Sequence, residues 1–287
     1  VRLAVLGARG QLGAALIHQC TGRHDAMALT RDVLDMTNDA AVAAVLRDAR
    51  PDVIINCAAY NDVDGAEDHP VEALETNAFA VRTIARAAAE QGATLVHYST
   101  DFVFDGTNAS PYSEDDAPNP RSVYAASKLL GEWFAEDAPK HYVLRVESLF
   151  GGAPGGRVKG TVHGMLNAML AGQDVRVFED RTVSPTNVVD AARATLSLIE
   201  GSATPGLYHC VNSGHTTWLE FAREMARLLN IEPRLVPARV ADVKLRAQRP
   251  QYCALSNEKL RAAGIAMPSW QDALARYVSG RRDSRSA

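Results

Sequence analysis

Cysteine is scarce in this chain and nowhere paired. Cys20, Cys57, Cys210 and Cys253 are the whole supply in 287 residues, with no Cys-x-x-Cys and no paired histidines nearby. This excludes a disulfide-stapled miniprotein and leaves a structural zinc site without a ligand set, so free thiols in a reducing compartment are expected. No apolar run approaches the roughly 18 residues that a membrane span requires. A basic block is also lacking: 30 Lys and Arg stand against 34 Asp and Glu, a net charge of -4. The chain therefore has no footprint for general nucleic-acid or membrane-surface binding. The opening Val1-Arg2-Leu3-Ala4-Val5-Leu6 reads as a strand rather than a signal peptide, so a cytoplasmic location is expected.

What the chain does have is core material, with 47% hydrophobic and 22% charged residues. That balance argues against disorder, and the length predicts about two domains or one large α/β unit. Short β-rich runs at 2–6, 26–29, 53–57, 94–98 and 142–146 alternate with helical stretches at 11–20, 40–49 and 71–91. Such alternation is the sequence form of βαβ units, so an α/β fold is expected: a Rossmann-like doubly wound parallel sheet with a smaller C-terminal substrate-binding domain. Residues 1–150 would form the dinucleotide-binding domain, with 180–202 returning to it, and 151–287 mainly the substrate domain. The rhythm breaks at Asp101 to Arg121, a Pro-rich excursion on the carboxyl side of the fourth strand, and again at Gly151 to Gly156. Ligands of open α/β sheets bind at that carboxyl edge. Later helices are expected at 218–230, 256–263 and 270–279, where Trp218, Phe221 and Met225 recur at core spacing.

Three signals could carry chemistry. Gly7-Ala8-Arg9-Gly10-Gln11-Leu12-Gly13 joins the first strand to the first helix. Its glycines allow a tight turn, close approach to a pyrophosphate and tight helix packing, although such turns also occur without a ligand. Arg31, at the end of the second strand, suits the 2′-phosphate of NADP. The cofactor expected is NADPH, with NADH possible. Tyr124 and Lys128 are four apart on a helix and share a face, so an ammonium could lower the pKa of a phenol used as an acid. Finally, a hydroxyl at the end of the fourth strand, within His97-Tyr98-Ser99-Thr100-Asp101, could hydrogen-bond a substrate carbonyl as charge builds on it. The structural alternative there is a capped strand-end turn. His97 itself reads as a packed, hydrogen-bonded residue.

Together these residues resemble an extended short-chain dehydrogenase/reductase, and within it the dTDP-4-dehydrorhamnose reductase family. The resemblance spans nearly the whole chain. It is carried by the glycine loop, by Asn56-Cys57-Ala58-Ala59-Tyr60-Asn61-Asp62, by Ser99-Thr100-Asp101-Phe102-Val103-Phe104, by Tyr124 to Glu132, by Ser184-Pro185-Thr186, by Gly206-Leu207-Tyr208-His209 and by Arg249-Pro250. It implies reduction of the C4 keto group of a nucleotide-linked 6-deoxyhexose. Tyr124 would give the proton, Lys128 would hold the nicotinamide ribose and depress the Tyr124 pKa, and Thr100 would hydrogen-bond the keto oxygen. Gly7, Gly10, Gln11, Leu12, Gly13, Arg31, Ala58, Ala59 and Tyr60 would surround the cofactor. Asp101, Val103 and Ser148 would line the sugar site, and Arg249 would approach the substrate diphosphate.

The chain departs from that family in places. Arg145-Val146-Glu147-Ser148 stands where an Arg-Thr-Ser/Ala-Trp pattern is usual, and Cys253 replaces a common serine. Ala15 and Val189 stand where some members have carboxylates that bridge dimers through magnesium, so no metal is expected and the chain would be a monomer or homodimer. Two other readings are an epimerase or dehydratase of nucleotide sugars with bound NAD, and a non-catalytic NADP-binding regulatory subunit.

Overall fold

The computed structural model describes residues 1–286. Six parallel strands form the central sheet: β1 (Arg2–Leu6), β2 (Asp25–Leu29), β3 (Val53–Asn56), β4 (Thr94–Thr100), β5 (His141–Val146) and β6 (Gly206–His209), in the order β6-β5-β4-β3-β1-β2. The expected doubly wound parallel sheet is therefore present.

Side-chain alternation explains why both faces are covered. Leu3 and Val5 of β1 point to one face, where they join Leu12, Ala15 and Leu16 of α1 (Gln11–Cys20) and Ala191, Ala192 and Leu196 of the helix Val188–Glu200. Ala4 and Leu6 point to the other, against Val42 and Leu46 of α2 (Asp39–Ala49) and Ile84, Ala85 and Ala88 of the helix Ala80–Gln91. A strand covered on both faces needs apolar residues at every position, which is why β1 reads as a continuous run.

Three elements differ from the sequence reading. The stretch expected as one helix over 71–91 is Pro70–Leu74, a π-turn at Glu75–Phe79, then Ala80–Gln91, ending on Gly92 at φ +67°. The edge strand β6 comes from residues that the sequence reading left outside the first domain, beyond the returning segment 180–202. A second core gathers Phe150, Met165, Phe221, Met225, Trp218 and Trp270 from the helices Thr161–Leu170, Trp218–Leu229 and Trp270–Ser286 and their neighbours. The helix expected over 256–263 is the shorter Glu258–Ala262. Among the described residues, no helix is long and apolar enough to cross a membrane.

Candidate active site

The glycine turn is built by close approach. Gly7 has φ +73°, and a Cβ there would lie 2.7 Å from the Ala58 nitrogen. Any other residue would push the turn away from the loop after β3. Gly10 caps α1 without a side-chain hydrogen bond, leaving the first N–H groups of that helix free for an anion. Gly13 sits against the Gly7 carbonyl, and Leu12 is buried beneath the helix. Gln11 faces the other way, its Nε2 donating to the Gly151 carbonyl at 2.6 Å and tying the turn to the Gly-rich stretch.

Beside the turn lies a cavity of about 800 Å³ whose walls include Gly7, Thr30, Arg31, Ala58, Ala59 and Tyr60. Five of the residues expected around the cofactor thus share one cavity. Sequence reasoning missed two contributors. Arg9, inside the glycine turn, pairs with Asp32 just past β2 and brings a second guanidinium to the strand end. Asn77, on the π-turn, accepts from Tyr60 N at 2.9 Å and donates to Tyr60 O and to Ser127 Oγ, each at 3.0 Å. It pins the Ala58–Tyr60 loop to the helix that carries Tyr124, and π-turns often mark such sites.

That helix, Val123–Ala135, starts with Ser122 capping Ala125 N and with Glu67 accepting from Val123 N at 2.8 Å. Its first turn brings the Tyr124 hydroxyl to the Thr100 side chain, at the carboxyl end of β4. Both residues are buried. Burial pushes the phenol up to about 12, the Thr100 hydrogen bond opposing and Asp101 adding to the rise. Lys128, expected to depress this pKa, is not among the groups that shift the phenol here. The Lys128 ammonium is turned to the Tyr98 carbonyl at 2.5 Å, and burial lowers its own pKa to about 8, with Glu132 and Cys57 opposing. A phenol raised in this way is protonated at neutral pH.

Farther along the same helix, Glu132 accepts from Arg145 Nε at 2.9 Å and Nη2 at 2.7 Å, with Ser99 Oγ on the same carboxylate. The guanidinium stacks on Phe104. This buried pair bolts the helix to β4 and β5.

Asp101, expected to line the sugar site, is buried at the start of the 3₁₀ turn Asp101–Val103, accepting from Thr100 Oγ1 at 3.0 Å. Close to it lie Glu147, Cys253 and Arg181. Arg181 was not singled out from sequence. It donates to Pro250 O at 3.2 Å and lies over the Phe102 ring. The Val103 side chain is fully buried with Phe104, Tyr112 and Leu129. Ser148 occupies the turn after β5 with φ +46°, partly exposed. Arg249 lies across from these residues, paired with Asp64 at 3.0 Å and lining a second cavity of about 440 Å³ with Thr107, Gln248 and Gln251. His97 is buried beside Asn56 at 3.3 Å, and burial lowers its pKa.

The sequence matches the RmlD substrate binding domain family over residues 1–282. A dTDP-4-dehydrorhamnose reductase from Mycobacterium tuberculosis is 37% identical, covering 99% of this chain and 95% of that protein. The crystal structure of a dTDP-4-dehydrorhamnose reductase from Clostridium acetobutylicum superposes with a TM-score of 0.93 at 33% identity, over 98% of this chain and all of that one. Another from Bacillus anthracis, solved in complex with NADP, gives 0.91 at 34% identity, over 96% of this chain and 98% of that one.

Proposed function

The chain belongs to the RmlD substrate binding domain family, and from that premise we propose that it catalyses NADPH-dependent reduction of the C4 keto group of a nucleotide-linked 4-keto-6-deoxyhexose, as a dTDP-4-dehydrorhamnose reductase does. The observation that carries this reading is the Thr100–Tyr124 hydroxyl pair, buried at the carboxyl edge of the sheet where the glycine turn also lies. The relative bound to NADP and the reductase names of the relatives support it.

The chain fits the cofactor. The Cβ-free cradle of Gly7 beside Ala58, the uncapped start of α1 and the cavity next to them form a pyrophosphate and adenosine site, with Gly10, Gln11, Leu12 and Gly13 shaping the turn. Arg31 would take the 2′-phosphate, and Ala58, Ala59, Tyr60, Tyr124 and Lys128 the rest. Bound NADPH supplies a hydride for C4. Thr100 donates a hydrogen bond to the keto oxygen, and Tyr124 transfers its phenolic proton to that oxygen as charge develops there. Lys128 swings from the Tyr98 carbonyl to the ribose. Arg249 exchanges Asp64 for the substrate diphosphate, a group that a guanidinium grips at two points. Free cysteines suit a cytoplasmic setting for this chemistry, with the chain acting as a monomer or homodimer.

The test is incubation with NADPH and a panel of dTDP-4-keto-6-deoxy sugars while the absorbance of the reduced cofactor is followed. Stoichiometric loss of NADPH with formation of the 4-hydroxy sugar is expected. No loss with any sugar, or interconversion of sugars without net loss, overturns the reading.

A further inference from the structure

Glu147 and Cys253, far apart in sequence and both unusual for this family, meet in space at Asp101. A carboxylate oxygen of Asp101, one of Glu147 and Cys253 Sγ all lie within 4.8 Å of one another. Asp101 is 4% exposed, Glu147 1% and Cys253 0%, so water does not screen them. Each carboxylate has one satisfied side: Asp101 accepts from Thr100 Oγ1, and Glu147 from Ser184 N at 2.6 Å. The other oxygens, Asp101 Oδ2 and Glu147 Oε1, have no hydrogen-bond partner. The charged and titratable groups that face the pair are Arg181, Cys253, Tyr252 and Tyr124. Arg181 is the one cation among these, so two ionised carboxylates would leave an uncompensated buried charge. One proton restores neutrality, and two buried acids this near to each other disfavour ionising together. With a guanidinium already in place, the cluster needs no dication.

We propose that Asp101 and Glu147 share one proton and return it to Tyr124 through the Thr100 hydroxyl after each reduction. This rests on the reaction proposed above. As the Tyr124 O–H bond breaks, an O–H bond forms on the C4 oxygen and a phenolate is left. The Thr100 hydroxyl then turns to the phenolate and gives it a proton, while the one proton of the dyad passes through the Asp101 carboxyl to the Thr100 oxygen. The dyad, now doubly ionised, takes its replacement from water, and no electrons move in any of these steps. Burial supports the arrangement by lifting both carboxyls, Asp101 to about 6 and Glu147 well above its usual range. Glu147 touches no substrate in this scheme. It is a positioning residue for a proton.

Glu147→Gln is isosteric and keeps an oxygen for Ser184 N. In this variant the first turnover should be normal, because Tyr124 starts protonated, whereas steady-state kcat at about pH 8 should fall by about 10²-fold, the low end for a positioned proton donor. The deficit should close below about pH 6, where Asp101 itself carries a proton. A merely structural role would slow the first turnover and all pH values alike, and that outcome, like an unchanged kcat, overturns the proposal. An infrared C=O band from a protonated buried carboxyl, shifted in D₂O, is expected in the wild-type chain without substrate and lost in Glu147→Gln. Its absence from the wild-type chain also overturns the dyad, and this reading survives a variant that does not fold. A wild-type chain that shows the band but never consumes NADPH would refute the reductase reading and the relay while leaving the shared proton in place.

Discussion

Replacing Glu132 by Gln tests how the catalytic helix is fastened. Its carboxylate makes a bidentate pair with Arg145, whose side chain is only 2% exposed against 7% for Glu132. In Glu132→Gln the guanidinium keeps its charge but loses its counter-ion in a place water does not reach, which typically costs about 3–5 kcal/mol. The Phe104 ring, 4.9 Å from the guanidinium carbon, holds part of that charge, so the lower end, about 3 kcal/mol, is expected. Since domains are stable by about 5–15 kcal/mol, this is a large fraction. Urea unfolding should show a lower midpoint with an unchanged slope. Replacing both partners by apolar residues, Glu132→Leu with Arg145→Met, removes the unpaired charge and should recover most of the loss, as buried pairs exchanged for hydrophobic residues often do. The reasoning is refuted if Glu132→Gln costs less than about 1 kcal/mol, the range of a solvated surface pair, or if the double variant is less stable than the single one. Glu132 also raises the Lys128 pKa, so the variant should let Lys128 titrate below its present value of about 8.

Arg31→Ala should erase most of the preference for NADPH over NADH, worth at most about 1.5–3 kcal/mol per charge-assisted hydrogen bond, in a fluorescence titration of both cofactors; equal affinities in the unmodified chain would remove the basis for this. Tyr124→Phe should lower turnover by about 10²- to 10⁴-fold while NADPH binding stays near normal, and a near-normal rate would point to another proton donor. Burial lowers the His209 pKa from 6.5 to about 3, so below 6.5 the unfolded chain binds a proton that the folded chain refuses. Stability from this group is present above about 6.5 and is lost as pH falls toward about 3. Measured by chemical denaturation, the acid loss should be smaller in His209→Gln, and identical pH profiles would count against it. Ser148→Trp restores an indole at a left-handed turn, φ +46°, and should change the ranking of keto sugars; an unchanged ranking and rate would mean that Ser148 does not line the pocket.

The alternation of apolar strands and alanine-rich helices made the sheet legible, because strands covered on both faces leave little choice of residue. The glycine turn was legible for the same reason: Gly7 and Gly13 stand where a Cβ would collide with backbone. What stayed hidden depends on tertiary partners. Glu75-Thr76-Asn77-Ala78-Phe79 contains no helix breaker, and its π-turn is fixed by Asn77 reaching the Tyr60 backbone and Ser127. Arg9 and Arg181 follow no period, so only folding reveals that one meets Asp32 and the other meets Cys253 and Pro250. The Ser99 to Phe104 string reads as one site segment, yet the 3₁₀ turn sends Asp101 toward Glu147 and buries Val103 among aromatics. Lys128 was read from its helical spacing to Tyr124, but spacing fixes a face and not the end of a four-carbon stem, which here finds the Tyr98 carbonyl.

The departures from the family pattern are better understood as one change than as several. A glutamate alone at position 147 would be an unsupported buried charge, and the structure answers it with the Ser184 amide and the nearby Arg181. Cys253 receives the other side of the same guanidinium, its Sγ 3.6 Å from Nη2. A thiol is a weaker hydrogen-bond partner than a hydroxyl, which leaves more of the Arg181 charge to the carboxylates. Ser148 follows directly: with Glu147 drawn inward, the next residue turns through a left-handed conformation that a bulky side chain adopts poorly. Ser148 and the buried acid Glu147 therefore sit on consecutive residues and share one backbone turn. Changing Glu147 or Ser148 alone should disturb the other, since residues that share one turn do not act independently.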